Sequence, residues 1–178
     1  MHLAQPAPLG NYKMNRIPYK GVDQTVLWMQ RLAREGQTHP EIRRHAEETI
    51  RRVYPKDFLS EAAALYYEVC RRVRYTRDPA GAELVHHPAL THRNRAADCD
   101  DMAIYLKALL GARMASVGNN GQYVVVGFQR GLPRQNRFSH VFLRVQAPGG
   151  RWVVVDPVAG PHTRQMLRKV KASKVYPL

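Results

Sequence analysis

RNRAADCDDMAIYLKALLGA, residues 93–112, sets a cysteine among three aspartates at the head of an apolar repeat. Met102, Ala103, Leu106, Leu109 and Leu110 recur at helical spacing and Gly111 suits a C-cap, so residues 100–111 are expected to form a helix. Cysteines that serve packing sit among apolar neighbours, whereas Cys99 stands between Asp98 and Asp100, with Asp101 next. The first turn of a helix offers unpaired backbone N–H groups and the positive end of the dipole, both of which stabilise a thiolate. Asp98 is the expected N-cap, and Asp100 and Asp101 suit the first turn, but their charges raise a thiol pKa, so a cationic partner is required.

The chain beyond this helix supplies one. Residues 123–129 (YVVVGFQ), 138–146 (FSHVFLRVQ) and 151–157 (RWVVVDP) are rich in β-branched and aromatic residues and read as strands, the last two joined as a hairpin across 147–150. From residue 102 to the end, Asp156 is the single acidic residue against twelve Lys and Arg. A turn centred near Pro148 places His140 opposite Asp156 on one face, where the carboxylate orients the imidazole. Cysteine on a helix start, then histidine and aspartate on adjacent strands, is the logic of an activated nucleophile: thiolate, general base and orienting carboxylate.

Working back from residue 93, the pattern is helical. A first helix is expected from Asp23 to Glu35, stopped by Gly36, a second after Thr38 with Pro40 in its first turn, and a third from Ser60 to about Arg74. In the third, Leu65, Val69 and Val73 form an apolar stripe with Cys70 beside it, so Cys70 is expected in the core. Residues 75–94 break any period and read as a loop with room for specificity. Residues 1–20, with Pro6, Pro8, Gly10 and Pro18, read as an extended arm that orders against a partner; 21–160 is one domain; 161–178 is a basic tail.

Composition narrows the class. At 178 residues, with 44% hydrophobic and 24% charged residues, the chain suits a folded domain with a real core, and no apolar run approaches the roughly 20 residues of a membrane span. The first residues lack the features of a secretory signal, and two cysteines suit a reducing compartment with free thiols. A net charge of +14 predicts attraction to anionic partners without naming one.

The segments ADCDDMAIYLKALL, FSHVFLRV and RWVVVDP resemble the three motifs of the transglutaminase-like superfamily, most of all its small phage and prophage versions, over about residues 62–158. That resemblance implies an α+β fold with a papain/transglutaminase-like core, in which N-terminal helices and the nucleophile helix pack on a small antiparallel sheet. It implies Cys99 as nucleophile, His140 as base and Asp156 as its orienter. One position departs from the pattern: two residues before the cysteine, often glycine in such proteins, stands Ala97. The oxyanion hole would use the Cys99 N–H plus a donor from Asn94 or the 86–92 loop.

Two functions follow as expectations. The first is a cysteine-dependent acyl-transfer enzyme of peptidase, amidase or transamidase type, with a protein or peptide substrate. The second is a phage virion structural or assembly protein that keeps the fold, engages particle proteins through its arm and touches nucleic acid nonspecifically through its basic surface. The corresponding location is a bacterial host cytoplasm or a virion, with no membrane partner. A free-standing nucleic-acid module is disfavoured because aromatic residues do not interleave with the basic ones. No cofactor and no metal are expected, since His86, His87, His92 and Cys99 lack the paired spacing of zinc ligands.

Overall fold

The computed structural model describes residues 15–16, 21–79, 84–114, 121–128 and 138–176. In chain order these form β1 (Asn15–Arg16), α1 (Val22–Gln37), α2 (Pro40–Ile50), α3 (Phe58–Arg72), β2 (Arg74–Tyr75), β3 (Leu84–Val85), α4 (Pro88–Asn94) and β4 (Ala96–Ala97). There follow α5 (Cys99–Met114), β5 (Gln122–Gly127), β6 (His140–Gln146), β7 (Trp152–Val155), α6 (Thr163–Lys169) and β8 (Ala172–Tyr176).

α5 is the hub. Every residue from Asp100 to Gly111 is buried, so over this stretch the helix has no solvent face. α1, α2, α3 and α4 pack around it, and β6 closes another side. Apolar residues on all sides, beyond the single stripe expected, are what a fully enclosed helix requires. Gly111 therefore lies inside the helix, against Gln37, and does not end it.

The outer helices follow the stripe rule. α1 buries Val26, Met29, Leu32 and Ala33, and α2 buries Ile42, Ala46 and Ile50 while Arg43, Arg44, Arg51 and Arg52 stay exposed. α3 starts earlier than expected because Asp57 is its cap, accepting from the Ser60 backbone N–H at 3.1 Å and from the Ser60 hydroxyl at 2.6 Å. Leu65, Val69 and Val73 enter the core, while Cys70 is half-buried beside Tyr66.

The segment expected as a loop contains β3 and α4 among its described residues. Pro88 takes the first position of α4, the His87 side chain accepts from the Ala89 N–H at 3.2 Å, and Arg95 ends the helix in the left-handed region. β4 then runs parallel to β2, pairing Ala97 with Tyr75. Ala97 is thus an ordinary strand residue with no left-handed backbone, which is why alanine fits where the family pattern favours glycine.

The main sheet is antiparallel, in the order β7-β6-β5-β8. The described part of the expected tail, residues 161–176, is therefore not separate: β8 pairs with β5 from Tyr123–Tyr176 to Gly127–Ala172, and α6 covers a sheet face with Met166, next to Val124, Val126 and Phe142. The opposite face, with Tyr123, Val125, Val141, Leu143 and Val145, joins the core around α5. Burial on both faces explains the continuous apolar run of β5. The tail's basic composition hid its role, because β8 is an edge strand whose Ser173, Lys174 and Val175 are exposed. β1 pairs antiparallel with β3, Asn15 with Val85, and the rest of the expected arm lies outside the described residues.

Gly36 does not stop α1; it lies within the helix, where an added Cβ would sit 2.8 Å from Pro88 Cβ and 3.1 Å from Ala108 Cβ. The glycine thus lets α1 approach α4 and α5 closely. Gly36→Ala gains helix propensity but overpacks this contact, and a net loss of about 1–2 kcal/mol is expected in urea unfolding. An unchanged or raised midpoint would mean that the helices separate without cost.

Candidate active site

The site is assembled at the start of α5. Asp98 Oδ1 accepts from the Asp101 backbone N–H at 3.2 Å and the Asp98 carbonyl accepts from Met102 N–H at 3.0 Å, so Asp98 caps the helix as its sequence position suggests. Cys99 occupies the first position and is partly exposed.

Burial pushes the Cys99 thiol well above its ordinary range, and the Asp100 and Asp98 carboxylates push the same way, while backbone N–H groups of Val141 and Asp100 pull back. The repulsion foreseen from the acidic neighbours therefore outweighs the helix-end stabilisation. In this arrangement the thiol form is favoured at neutral pH, and a thiolate would form only with a base to take the proton.

His140 begins β6, and its Nε2 lies 2.7 Å from Asp156 Oδ2. Asp156 is fully buried; its other oxygen, Oδ1, accepts from the Val158 N–H at 3.0 Å and the Ala159 N–H at 3.1 Å. These bonds hold the carboxylate at the turn after β7 and aim it at the ring. The imidazole is flanked by Phe128 and Phe142, with ring centroids 6.4 and 6.1 Å away. With Nε2 committed to Asp156, Nδ1 is the ring nitrogen available to exchange a proton.

The hairpin reaches this geometry by a different register from the expected one. Leu143 faces Val155 and Gln146 faces Trp152, a shift of two residues, so His140 is diagonal to Asp156 and not directly opposite. An even shift preserves the face on which a side chain lies, and the ladder ends before Asp156, leaving its side chain free to reach back. An odd shift would have separated the pair.

Cys99 and His140 line one cavity of about 270 Å³. Its apolar wall comes from Val22, Val26 and Met29 of α1 with Val125 and Val141 of the sheet, and Asp98 and Asp100 supply negative charge. Thr25, Tyr75 and Ser139 place hydroxyl-bearing side chains around it. Neither Asn94 nor the 86–92 loop lines this cavity, so the expected sources of a second oxyanion donor do not reach it. Nothing in the α1 pattern distinguishes a wall residue from a core residue, and the contribution of Thr25 and Met29 was invisible in sequence. Only the adjacency of Ser139 to His140 could have suggested its place.

His86, His87 and His92 do other work. His86 Nδ1 pairs with Asp101 Oδ2, and the His86 backbone N–H donates to Asp101 Oδ1, tying the segment before α4 to the first turn of α5. Burial raises the Asp101 carboxyl to about 6, with His86 opposing the rise. For His86, burial works against the charged ring, but Asp101, Asp78 and Asp98 outweigh it and the net direction is up. His87 caps α4, and His92 Nδ1 lies 2.8 Å from the Tyr105 hydroxyl; burial lowers both histidines to about 4. Asp98, Asp100 and Asp101 can bring ligand oxygens within 4.8 Å of one another. Oδ1 of Asp98 and of Asp100 both accept from the Asp101 N–H, while Asp101 binds His86, so capping and pairing account for the cluster.

No protein-family model and no curated protein matches the chain. Among solved structures, a protein from Parabacteroides distasonis described as a "putative protease" superposes with a TM-score of 0.58 at 11% identity, covering 79% of this chain and 28% of its own. A Cytophaga hutchinsonii protein described as a "putative cysteine protease" superposes at 0.47 with 14% identity, covering 78% of this chain and 46% of its own. The first likeness shows a shared fold, in which this chain spans little more than a quarter of the larger protein. No helix among the described residues is long and apolar enough to cross a membrane.

A raised thiol pKa lowers the thiolate fraction at neutral pH. Iodoacetamide is therefore expected to label Cys99 in the native protein more slowly at pH 7 than an ordinary thiol of pKa about 8.5, with the rate still climbing beyond pH 9. Asp100→Asn removes one of the charges responsible and should speed labelling several-fold at fixed pH, read by peptide mass spectrometry. A labelling plateau below pH 8 would contradict the direction of this shift.

Proposed function

We propose that the protein is a transglutaminase-like, cysteine-dependent acyl-transfer enzyme acting on peptide or side-chain amides. The observation that carries this reading is the 2.7 Å hydrogen bond between His140 and a fully buried Asp156, with that histidine lining the same cavity as Cys99.

The chemistry follows from the two ring nitrogens. Asp156 accepts from Nε2–H and so favours the tautomer whose Nδ1 lone pair can take the Cys99 proton. The sulfur then attacks the carbonyl carbon, forming the C–S bond. His140, now protonated and stabilised by Asp156, returns the proton to the leaving nitrogen as the C–N bond breaks. Water or an amine attacks the resulting thioester, His140 takes the incoming proton, and the sulfur departs. The Cys99 N–H at the helix start is one donor for the oxyanion, and hydroxyls of Thr25, Tyr75 or Ser139 are near enough to the cavity to supply another.

The protonated resting thiol fits a general-base mechanism in which substrate entry precedes ionisation, in contrast to a preformed thiolate–imidazolium pair. The same raised thiol also favours a second reading, a particle component that keeps the fold and works by contact. Catalysis separates the two.

Incubation with a quenched-fluorescent peptide library, with products identified by mass spectrometry, tests the assignment. Cys99→Ala and His140→Ala should each lower turnover by about a thousandfold or more, and Asp156→Asn by at least about a hundredfold through the wrong tautomer. Turnover that survives Cys99→Ala would remove Cys99 as nucleophile. No turnover by the wild-type protein would leave the contact reading in front.

A further inference from the structure

A second cavity, of about 480 Å³, meets the first at Tyr75, Ser139 and His140. It lies along α6, lined by His162, Gln165, Met166 and Lys169, with Phe128 opposite. Cys99 lines the first cavity and not the second, whereas His140 lines both.

That division has a chemical meaning if the acyl-transfer reading holds. The acyl part of a substrate stays bonded to Cys99, so it must occupy the cavity that contains the sulfur. The leaving amine must receive its proton from His140, so it departs into space that His140 reaches and Cys99 does not. The second cavity meets that requirement. Its volume lies within the roughly 300–1,000 Å³ of ordinary ligand sites.

The two cavities differ in charge. Asp98 and Asp100 line the first; Lys169 lines the second, with no carboxylate among its described lining residues. No acidic residue follows Asp156 in the sequence, and α6 also carries Arg164 and Arg168, both exposed. Met166 and Phe128 add adaptable apolar surface to the same lining.

We infer that the groove along α6 is the leaving-group subsite, that it takes the peptide segment on the amine side of the scissile bond, and that Lys169 selects acidic residues there. This rests on the acyl-transfer reading for its role but not for its measurement, because binding of the segment needs no turnover. A peptide entering the groove lays a carboxylate beside Lys169, while its apolar atoms cover Met166.

The test uses the full-length Cys99→Ala protein and fluorescence anisotropy. Three labelled pentapeptides of equal length carry two Asp, two Asn or two Lys in an Ala background. The Asp peptide should bind at least about five-fold more tightly than the Asn peptide, with the difference shrinking as salt is raised. Lys169→Glu should abolish or reverse that order. Arg43→Glu, an exposed change on α2, controls for the overall charge of +14 and should leave the order intact.

Equal binding of the three peptides, no measurable binding, or an order that Lys169→Glu leaves unchanged would overturn the proposal. So would an order lost equally in Arg43→Glu. The two assignments fail separately: acidic preference without Cys99-dependent turnover keeps the groove and removes the chemistry. Cleavage by the wild-type protein with no acidic preference beyond the scissile bond does the reverse.

Discussion

A helix with no face to water constrains everything around it. α5 carries Asp100, Asp101 and Lys107 into the interior, and an unpaired buried charge costs several kcal/mol. Each needs an answer from another part of the chain. Asp101 pairs with His86, and Lys107 Nζ donates to the Gly121 carbonyl and lies 5.3 Å from the centre of the Tyr123 ring. Burial lowers the Lys107 ammonium to about 8. These ties bind the helix to the segment before α4 and to the start of β5. The end of α5 that bears Cys99 is thereby fixed against the sheet that bears His140.

The same enclosure sets the electrostatics of the sulfur. A helix N-terminus favours a thiolate, but the favour lapses when the sulfur is largely buried and two carboxylates stand beside it. Oδ1 of Asp98 and of Asp100 both accept from the Asp101 backbone N–H, so the negative charge is a structural feature of the helix start. The imidazole that lines the same cavity is the group placed to exchange a proton there. Asp156, held by two backbone N–H groups, gives that imidazole a fixed orientation without adding a mobile charge to the cavity.

Around His140 the sheet and α6 create an asymmetric surface. One cavity reaches the sulfur along α1; the other runs away from it along α6. The C-terminal segment makes this possible, because β8 completes the sheet and α6 lies over the face that carries Phe142 and Val126. A short basic segment thus shapes one side of the site while adding little to the core around α5.

Local chemistry was legible in the sequence. The helix start at Cys99, its Asp98 cap, the β6–β7 hairpin and the lone Asp156 near His140 depend on neighbours within a few residues or across one turn. Even the two-residue error in register kept His140 and Asp156 together, because strand faces repeat every second residue. What the sequence could not disclose were contacts between distant segments. Gly36 looked like a stop and proved to be a contact with Pro88; residues 88–94 looked irregular and became α4; residues 161–178 looked like a tail, and within them 162–176 supplied the sheet edge and the second cavity wall. Propensity and periodicity report what a segment does alone, whereas burial on α5 and pairing with β5 depend on surfaces made by other parts of the chain. The sequence by itself singled out Cys99, His140 and Asp156 as candidates; only the tertiary structure decided how deeply the sulfur is buried and the shape of the space around it, because both depend on residues far away in the chain.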